Sequence, residues 1–280
     1  MSPSPNPDVP DLEGPGGAMP ALGLGTWRLK GEECREAVLS ALDLGYRHVD
    51  TAQIYGNEEE VGAALERSEV PRNEIYLTTK VWSDSLEAEK VKSSLTESLE
   101  KLRTDYVDLL LIHWPKRRVP LEETLSAMAE EQEAGRVTHM GVSNFTPELI
   151  RQACRESPSP IFCNQVEYHP FLSQQKLLET CREEGVTLVA YSPLARGGVF
   201  DNEVLQRIGK RHGRTAGQVA LRWLLQQEAV GAIPKSASAE HQRENLGCLE
   251  FELSEEEMAE IHELARGERL IGVEDGPWNW

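Results

Sequence analysis

Eight short apolar stretches recur along the chain, and their alternation with longer segments constrains the fold more than any other feature. The stretches are residues 21–25, 46–51, 75–80, 107–113, 139–144, 161–167, 186–192 and 229–236. Several are apolar at nearly every position, which is typical of parallel strands buried on both faces. Parallel strands need crossover connections of about a dozen residues or more, and the intervening segments are long enough to supply them. Crossover helices are expected, for example, over residues 34–44, 58–66, 87–102, 121–133 and 174–184.

The length narrows the choice of architecture. A chain of 280 residues can form one large domain or two modest ones. The folds that routinely form a single domain of this length are the α/β barrel and the doubly wound sheet. A doubly wound sheet that binds a dinucleotide would carry G-x-G-x-x-G after its first strand. Here Gly23-Leu-Gly25 is followed by Thr-Trp-Arg, so that fingerprint is absent. The pattern therefore predicts a (β/α)8 TIM barrel that forms a single domain over residues 1–280.

Three segments are additional to a minimal barrel. Residues 1–18 form an N-terminal extension, and we expect a small hairpin over residues 12–19 that closes the barrel floor. Two helical stretches, residues 203–211 and 216–227, lie between the seventh and eighth strands, where one helix would suffice. The last helix is expected over residues 254–264. The tail after it, residues 266–280, carries Trp278 and Trp280, and such a tail either frays or folds over an apolar surface. We place it over the barrel mouth.

Charge and composition exclude several classes of protein. Lysine and arginine number 29 against 47 aspartates and glutamates, which gives a net charge of -18. An acidic surface repels phosphate backbones, so nucleic acid is a poor partner. No stretch approaches the ~20 apolar residues of a membrane helix, and the N-terminus lacks the pattern of a secretory signal. Five scattered cysteines without a C-x-x-C pair disfavour zinc and disulfides. We expect a cytoplasmic protein without a metal or a membrane partner.

Polar side chains stand at the carboxyl ends of the second to eighth predicted strands. They are Asp50 with Tyr55 just beyond it, Lys80, His113, Ser143 and Asn144, Gln165, Tyr191 and Ser192, and Lys235 and Ser236. Taken singly, each has an ordinary structural explanation, such as a helix cap, a solvated strand end, a core histidine or packing. The carboxyl ends of barrel strands converge on the catalytic face, however. Together, these residues predict a functional site.

The residue types at these ends indicate proton transfer to a carbonyl. A lysine and an aspartate at neighbouring strand ends are expected to be dehydrated and to pair, here Lys80 with Asp50. A cationic Lys80 beside the Tyr55 phenol would lower the phenol's pKa and make it a general acid. His113, on the next strand, could orient a carbonyl oxygen. The sequence shows no serine nucleophile elbow, no metal-ligand cluster and no close pair of carboxylates.

Longer motifs around these residues add a family resemblance. They cover residues 22–27, 50–58, 79–82, 105–115, 141–145, 164–167, 190–194 and 233–236, in this order. Because of the order and spacing of these motifs, the chain resembles the aldo-keto reductase family from about residue 19 to residue 245. The short loops and the tail segment 268–271 are similar to those of the bacterial diketogluconate and methylglyoxal reductases.

The resemblance implies a role for each residue. Tyr55 would be the proton donor, Lys80 its pKa-lowering neighbour, Asp50 the anchor of Lys80, and His113 the group that orients the substrate carbonyl. The implied cofactor-binding residues are Ser143, Asn144, Gln165, Tyr191, Ser192, Leu194, Lys235, Ser236, His241, Glu244 and Asn245, with Tyr191 under the nicotinamide. The implied substrate-binding residues are Trp27, Trp82, Trp114, His113 and Trp278, and for the tryptophans ordinary packing is the competing interpretation.

The implied activity is reduction of aldehydes and ketones, small dicarbonyls such as methylglyoxal or keto-sugar acids, by a monomeric enzyme that uses NADPH. The alternative is a non-catalytic barrel that senses cofactor as a binding subunit. One position departs from the family pattern: His241 stands where an arginine commonly grips the 2′-phosphate of NADPH. Arg243 lies about 200° further around a helix and is expected to point elsewhere. We therefore expect NADPH to be preferred, with some use of NADH.

Overall fold

The structure is a computed structural model that describes residues 9–272, 276 and 277. Its ten strands are β1 Asp11–Gly14, β2 Gly17–Pro20, β3 Leu24–Gly25, β4 His48–Asp50, β5 Tyr76–Val81, β6 Val107–Ile112, β7 Val137–Ser143, β8 Ile161–Glu167, β9 Thr187–Tyr191 and β10 Val230–Ala232. Its ten α-helices are α1 Gly31–Asp43, α2 Glu58–Arg67, α3 Ala88–Leu102, α4 Leu121–Glu133, α5 Pro147–Glu156, α6 Gln175–Glu183, α7 Glu203–His212, α8 Ala216–Leu225, α9 Ala239–Leu246 and α10 Glu255–His262.

Strands β3 to β10 pair in chain order, and every pair is parallel. The first and last of them meet through parallel bridges between Leu22 and Ala232 and between Gly25 and Lys235. The Gly25 N–H donates to the Pro234 carbonyl at 3.0 Å. A Cβ at Gly25 would lie 2.8 Å from the carbonyl oxygen of Ile233, so the closure needs glycine there. The eight strands thus form the predicted (β/α)8 barrel, with α7 and α8 both between β9 and β10 as expected.

Side chains alternate between the inside of the barrel and the layer under the helices. On β6, Leu109 and Leu111 belong to the cluster inside the barrel, whereas Leu110 and Ile112 pack in the large cluster between strands and helices. Because both faces of β6 are covered, it is apolar at every position except Asp108. Side-chain layers of this kind fill a barrel and leave its mouth as the place for a site.

The N-terminal hairpin consists of β1 and β2, which pair antiparallel with Leu12 opposite Met19. Both side chains are buried in the inner cluster with Phe162, so the hairpin packs against the barrel interior. The sequence therefore predicted this element correctly, although its second strand extends to Pro20. The two terminal barrel strands are shorter than predicted. The last one ends at Ala232, and Pro234, two residues further on, has no N–H for a ladder hydrogen bond.

The tail leaves α10 and follows the loop after β8. The backbone N–H groups of Arg266 and Glu268 both donate to the carbonyl oxygen of Phe171 at 3.1 Å. The Arg266 guanidinium lies 4.5 Å from the centre of the Phe171 ring. Trp278 and Trp280 lie outside the described residues, so their predicted role stays a prediction. Within residues 9–272, 276 and 277, no helix is both long and apolar enough to cross a membrane.

Candidate active site

A buried ion pair lies at the carboxyl ends of β4 and β5. The Lys80 ammonium donates to Asp50 Oδ1 at 2.5 Å and to the Thr51 carbonyl at 2.8 Å. Gln165, across the barrel on β8, donates its amide to Asp50 Oδ2 at 2.7 Å. Both charged side chains are fully buried. Burial lowers the pKa of Lys80, and the Asp50 carboxylate opposes that effect. The structure thus forms the pair that the sequence predicted.

Tyr55 lies in a short 3₁₀ turn, Gln53–Tyr55, between β4 and α2. The loop around it is fixed by Asn57, a fully buried side chain. Asn57 accepts a hydrogen bond from the Thr51 hydroxyl at 2.8 Å and donates to the Thr26 carbonyl at 2.9 Å. Since Asn57 ties the loop to two strand ends, it positions the Tyr55 ring at the mouth. The motif over residues 50–58 includes Asn57, but sequence reasoning assigned it no role.

Tyr55 and His113 face each other beside the ion pair. Their ring centres lie 5.6 Å apart in an edge-to-face arrangement, and the Lys80 Nζ lies 5.0 Å from the centre of the Tyr55 ring. Trp82 packs edge-to-face on the other side of His113, at 5.3 Å. The buried His113 Nδ1 has no hydrogen-bond partner among the described residues. Asp50, Tyr55, Lys80 and His113, predicted from three strand ends, therefore lie close together.

The electrostatics of these groups differ from the prediction for Tyr55. Burial, reinforced by the Asp50 charge, raises the pKa of Tyr55 well above its ordinary value. Burial, and then the Lys80 charge, lowers the pKa of His113 well below its ordinary value. The predicted lowering of the phenol's pKa is wrong for the protein alone, because Asp50 neutralises Lys80 and burial then dominates. At neutral pH, the phenol is protonated and the imidazole is neutral, so both can donate a hydrogen bond.

These groups open into a cavity of about 300 Å³, which we call the catalytic cavity. It is lined by Gly25, Thr26, Trp27, Asp50, Ile54, Tyr55, Trp82, His113, Trp114, Asn144, Tyr191, Ser192, Ile233, Lys235 and Ile271. All three predicted tryptophans that are described, Trp27, Trp82 and Trp114, stand in its wall. Apolar walls of this kind exclude water and strengthen electrostatic effects on a reacting group.

A second cavity of about 730 Å³, the groove, adjoins the catalytic cavity and shares Trp27, Ser192 and Lys235 with it. Its lining includes seven residues predicted to bind cofactor, namely Ser192, Leu194, Lys235, Ser236, His241, Glu244 and Asn245. Two arginines also line it. The Arg28 and Arg196 guanidinium groups lie 4.3 and 5.1 Å from the centre of the Trp27 ring.

The remaining predicted cofactor residues form a hydrogen-bonded cluster at the carboxyl ends of β7, β8 and β9. They are Ser143, Asn144, Gln165 and Tyr191. The Tyr191 hydroxyl donates to Asn144 Oδ1 at 2.7 Å, and the Asn144 amide donates to the His113 carbonyl at 2.9 Å. The Ser143 hydroxyl donates to the Gln165 carbonyl at 2.7 Å. Asn144 and Tyr191 line the catalytic cavity, whereas Ser143 and Gln165 are buried behind it.

Helix α9 begins at the far end of the groove. The Ser238 hydroxyl accepts the N–H of His241 at 3.4 Å, and the Ser236 hydroxyl accepts the N–H of Ser238 at 3.1 Å. His241 faces the groove, whereas Arg243 lines a separate cavity on the side of α1 together with Arg67. The expectation that Arg243 points away from His241 is therefore confirmed.

Sequence reasoning missed several residues of both cavities. Ile54 and Ile271 line the catalytic cavity, and Arg28, Arg196 and Phe200 line the groove. Ile54 precedes Tyr55 directly, and Ile271 ends the tail segment 268–271 that carried the family resemblance, so adjacency to a motif was the available signal. Among the described residues, no group of three or more His, Cys, Asp and Glu side chains is placed to hold a metal ion.

Comparisons with known proteins agree with this geometry. Residues 21–266 match the model of the aldo/keto reductase family. The chain is 41% identical over 266 residues to "Methylglyoxal reductase DkgB" of Escherichia coli O157:H7, covering 94% of this chain and 99% of that protein.

Two solved structures superpose closely on this one. A putative 2,5-diketo-D-gluconic acid reductase B matches with a TM-score of 0.90 and 49% identity over 91% of this chain and 92% of that chain. An aldo-keto reductase of Bombyx mori, solved in complex with NADP, matches with a TM-score of 0.89 and 32% identity over 96% of each chain. The match to the family model over residues 21–266, together with the 41% identity to the Escherichia coli protein, shows that the chain belongs to the aldo/keto reductase family.

Proposed function

We propose that this protein is an NADPH-dependent reductase of small aldehydes and ketones, with dicarbonyls such as methylglyoxal and keto-sugar acids as the substrate class. The observation that carries the proposal is the meeting of Tyr55 and His113 on one cavity wall with the Lys80–Asp50 pair behind them. The similarity to the Escherichia coli methylglyoxal reductase and to the diketogluconic acid reductase structure supports this substrate class.

The chain's own groups would act on the carbonyl oxygen of the substrate. The Tyr55 phenol and the neutral His113 imidazole can both donate a hydrogen bond to that oxygen, which orients and polarises it. As negative charge develops on the oxygen, Tyr55 releases its proton to it. Lys80, 5.0 Å from the centre of the Tyr55 ring, stabilises the phenolate that remains, and Asp50 holds Lys80 in place.

A nicotinamide cofactor fits the two cavities. The groove leads into the catalytic cavity past Trp27 and Lys235, so an extended dinucleotide could place one end beside Tyr55. Three cationic side chains, Arg28, Arg196 and Lys235, line the groove in a chain of net charge -18, which suits an anionic ligand. When bound, the reduced nicotinamide supplies the hydride. Tyr191 would stack on its ring, and the amide of Asn144 would fix its orientation.

The adenosine end of the cofactor would lie against α9. Ser236, Glu244 and Asn245 are placed there to contact it, and a phosphate would face the first turn of the helix, where free N–H groups and the helix dipole favour anions. Because His241 replaces an arginine and Arg243 faces another cavity, the grip on a 2′-phosphate is reduced. We propose that NADPH is preferred and that NADH is also used.

A non-catalytic binding subunit is the competing function. The complete set of Asp50, Tyr55, Lys80 and His113 argues against it, because binding alone does not require a proton donor. A steady-state assay with methylglyoxal and a panel of carbonyls, with each cofactor, separates the two. We expect turnover with NADPH. Cofactor binding without reduction of any carbonyl above background would favour the binding subunit.

We also propose that residues 1–280 act as one domain, as a cytoplasmic monomer. Both cavities lie at the mouth of the one barrel that β3 to β10 form, which supports a single domain. Light scattering of the purified protein tests the oligomeric state, and a stable dimer would contradict the monomer.

A further inference from the structure

Glu167, at the end of β8, is a fully buried carboxylate that the proposed reaction does not use. Its Oε1 accepts the backbone N–H of Leu270 at 2.7 Å, and its Oε2 accepts that of Ile271 at 2.9 Å. His169 Nε2 lies 3.0 Å from Oε1, and Arg269 Nη1 lies 4.0 Å from Oε2. Two of the three close donors therefore belong to the tail.

A buried carboxylate is stable only when its oxygens are hydrogen-bonded. Burial tends to raise the pKa of Glu167, but the hydrogen bonds from His169, Leu270 and Ile271 together lower it. Without the tail, only His169 among these three donors would remain. The dependence is mutual, because residues 268–271 belong to no helix or strand and their N–H groups at Leu270 and Ile271 find their acceptors on Glu167.

The anchored residues reach the catalytic cavity. Ile271 stands in the cavity wall with Tyr55 and Trp82, and Leu270 packs against the main core beside it. Glu167 itself is not among the described residues that line the cavity. The position of one wall is thus determined by a side chain behind it.

We infer that Glu167 is a positioning residue that holds the tail in place, so that Ile271 closes the catalytic cavity around the part of the substrate remote from the carbonyl. The inference rests on the proposed function. It assigns to Glu167 a role in the discrimination of bulky from small carbonyl substrates, and no role in proton or hydride transfer.

The first test is Glu167→Gln, which keeps the shape of the side chain. Leu270 and Ile271 each donate to a different carboxylate oxygen. In glutamine an NH2 group stands in place of one of these oxygens, so one tail N–H would face another donor in place of its acceptor. In the full-length protein, hydrogen exchange at Leu270 and Ile271 should rise about tenfold or more. KM for an aromatic aldehyde should change about tenfold, while kcat for methylglyoxal stays within about twofold of the original.

A tail-side variant makes the test independent of changes in the barrel. Leu270→Pro removes one of the two N–H donors and leaves Glu167 intact, and Leu270→Ala controls for the lost side chain. Glu131→Gln is the matched control for loss of a buried carboxylate, because Glu131 pairs with Arg136 before β7, at the opposite end of the barrel. In Leu270→Pro exchange is read at Ile271 alone, because proline has no backbone N–H. There we expect Leu270→Pro to behave like Glu167→Gln and the two controls to behave like the original protein.

The outcomes separate this inference from the proposed function. Unchanged tail exchange in both Glu167→Gln and Leu270→Pro overturns the anchor, whatever the kinetics show. Faster exchange with unchanged KM values overturns the link to substrate size. If the original protein reduces no carbonyl at all, the proposed function fails and the exchange data alone decide whether Glu167 holds the tail.

Discussion

The catalytic cavity and the groove lie side by side at the barrel mouth, but they are built differently. The buried ion pair beside the catalytic cavity comes from two adjacent strand ends, and Asp50 and Lys80 satisfy each other in full burial. The groove is lined by the segments after β9 and β10 together with Trp27 and Arg28 after β3, and its Phe200 is 45% exposed. The positions of the side chains at the catalytic cavity therefore follow from the strand register, whereas those of the groove follow from the paths of the loops.

The difference also concerns charge. Lys80 is neutralised by Asp50, and both side chains are buried. The groove presents the side chains of Arg28, Arg196 and Lys235 together at its surface. We therefore expect substitutions in the first cavity to act on kcat and substitutions in the groove to act on cofactor affinity. Variants at the two cavities, and the pH dependence of kcat, test this difference between effects on kcat and effects on affinity.

The largest effect is expected for Tyr55→Phe. The substitution removes the proton and keeps the ring, so turnover should fall by ~100-fold or more, the scale of a lost general acid. Cofactor affinity, measured by fluorescence titration, should stay within about twofold because the groove is untouched. A Tyr55→Phe protein that retains most of its kcat would rule out this proton donor.

Lys80→Met should reduce kcat by a similar factor, ~100-fold, because the phenolate would face the unpaired Asp50 charge. It should also lower the free energy of unfolding by about 3–5 kcal/mol, the cost of a buried charge left without its partner. Denaturant titration measures this loss. The double variant Asp50→Asn with Lys80→Met should recover much of the stability but none of the activity, and recovery of activity would refute the role of Lys80.

His241→Arg tests the groove. A charge-assisted contact to the 2′-phosphate is worth about 1.5–3 kcal/mol, or roughly ten- to 150-fold in affinity, so the NADPH-to-NADH ratio of kcat/KM should rise within that range. Arg243→Gln is the control, since Arg243 lines another cavity. An unchanged ratio in His241→Arg would contradict the assignment.

Removal of residues 276–280 should have a smaller effect. The barrel strands and the Glu167 contacts lie upstream, so the protein should fold with its melting temperature unchanged within a few degrees, about the scale of a 1 kcal/mol change. KM for bulky carbonyls should change about threefold, since a lost apolar contact has an effect of this order, and KM for methylglyoxal should not. Unchanged kinetics over a whole substrate panel would show that this end of the tail takes no part.

The smallest effect concerns pH. The pKa of His113 is far below its ordinary value and that of Tyr55 far above, so neither group titrates between about pH 6 and about pH 9. The imidazole would gain its proton only in stronger acid, and the phenol would lose its proton only in stronger base. At saturating cofactor, kcat should therefore vary by less than about twofold. An inflection near the ordinary histidine value would contradict this account.

Much of the catalytic site was predictable from the chain because its geometry follows from a repeating rule. Parallel barrel strands bring their carboxyl ends to one mouth, so Asp50, Lys80 and His113 could be placed together without coordinates. The position of Arg243 relative to His241 was predictable for the same reason, since a helix fixes the angle between its residues.

The remaining properties depend on distances that no local pattern contains. Asp50 pairs with Lys80 so closely that burial, and not the lysine charge, governs the pKa of Tyr55. Arg196 meets Trp27, and Glu167 meets Leu270 across 103 positions of sequence, because of the paths of loops and tail. Such paths follow packing of the whole molecule and have no periodicity. The strand pattern thus determined where the candidate site lies, and three-dimensional packing determined its electrostatics and the walls of its cavities.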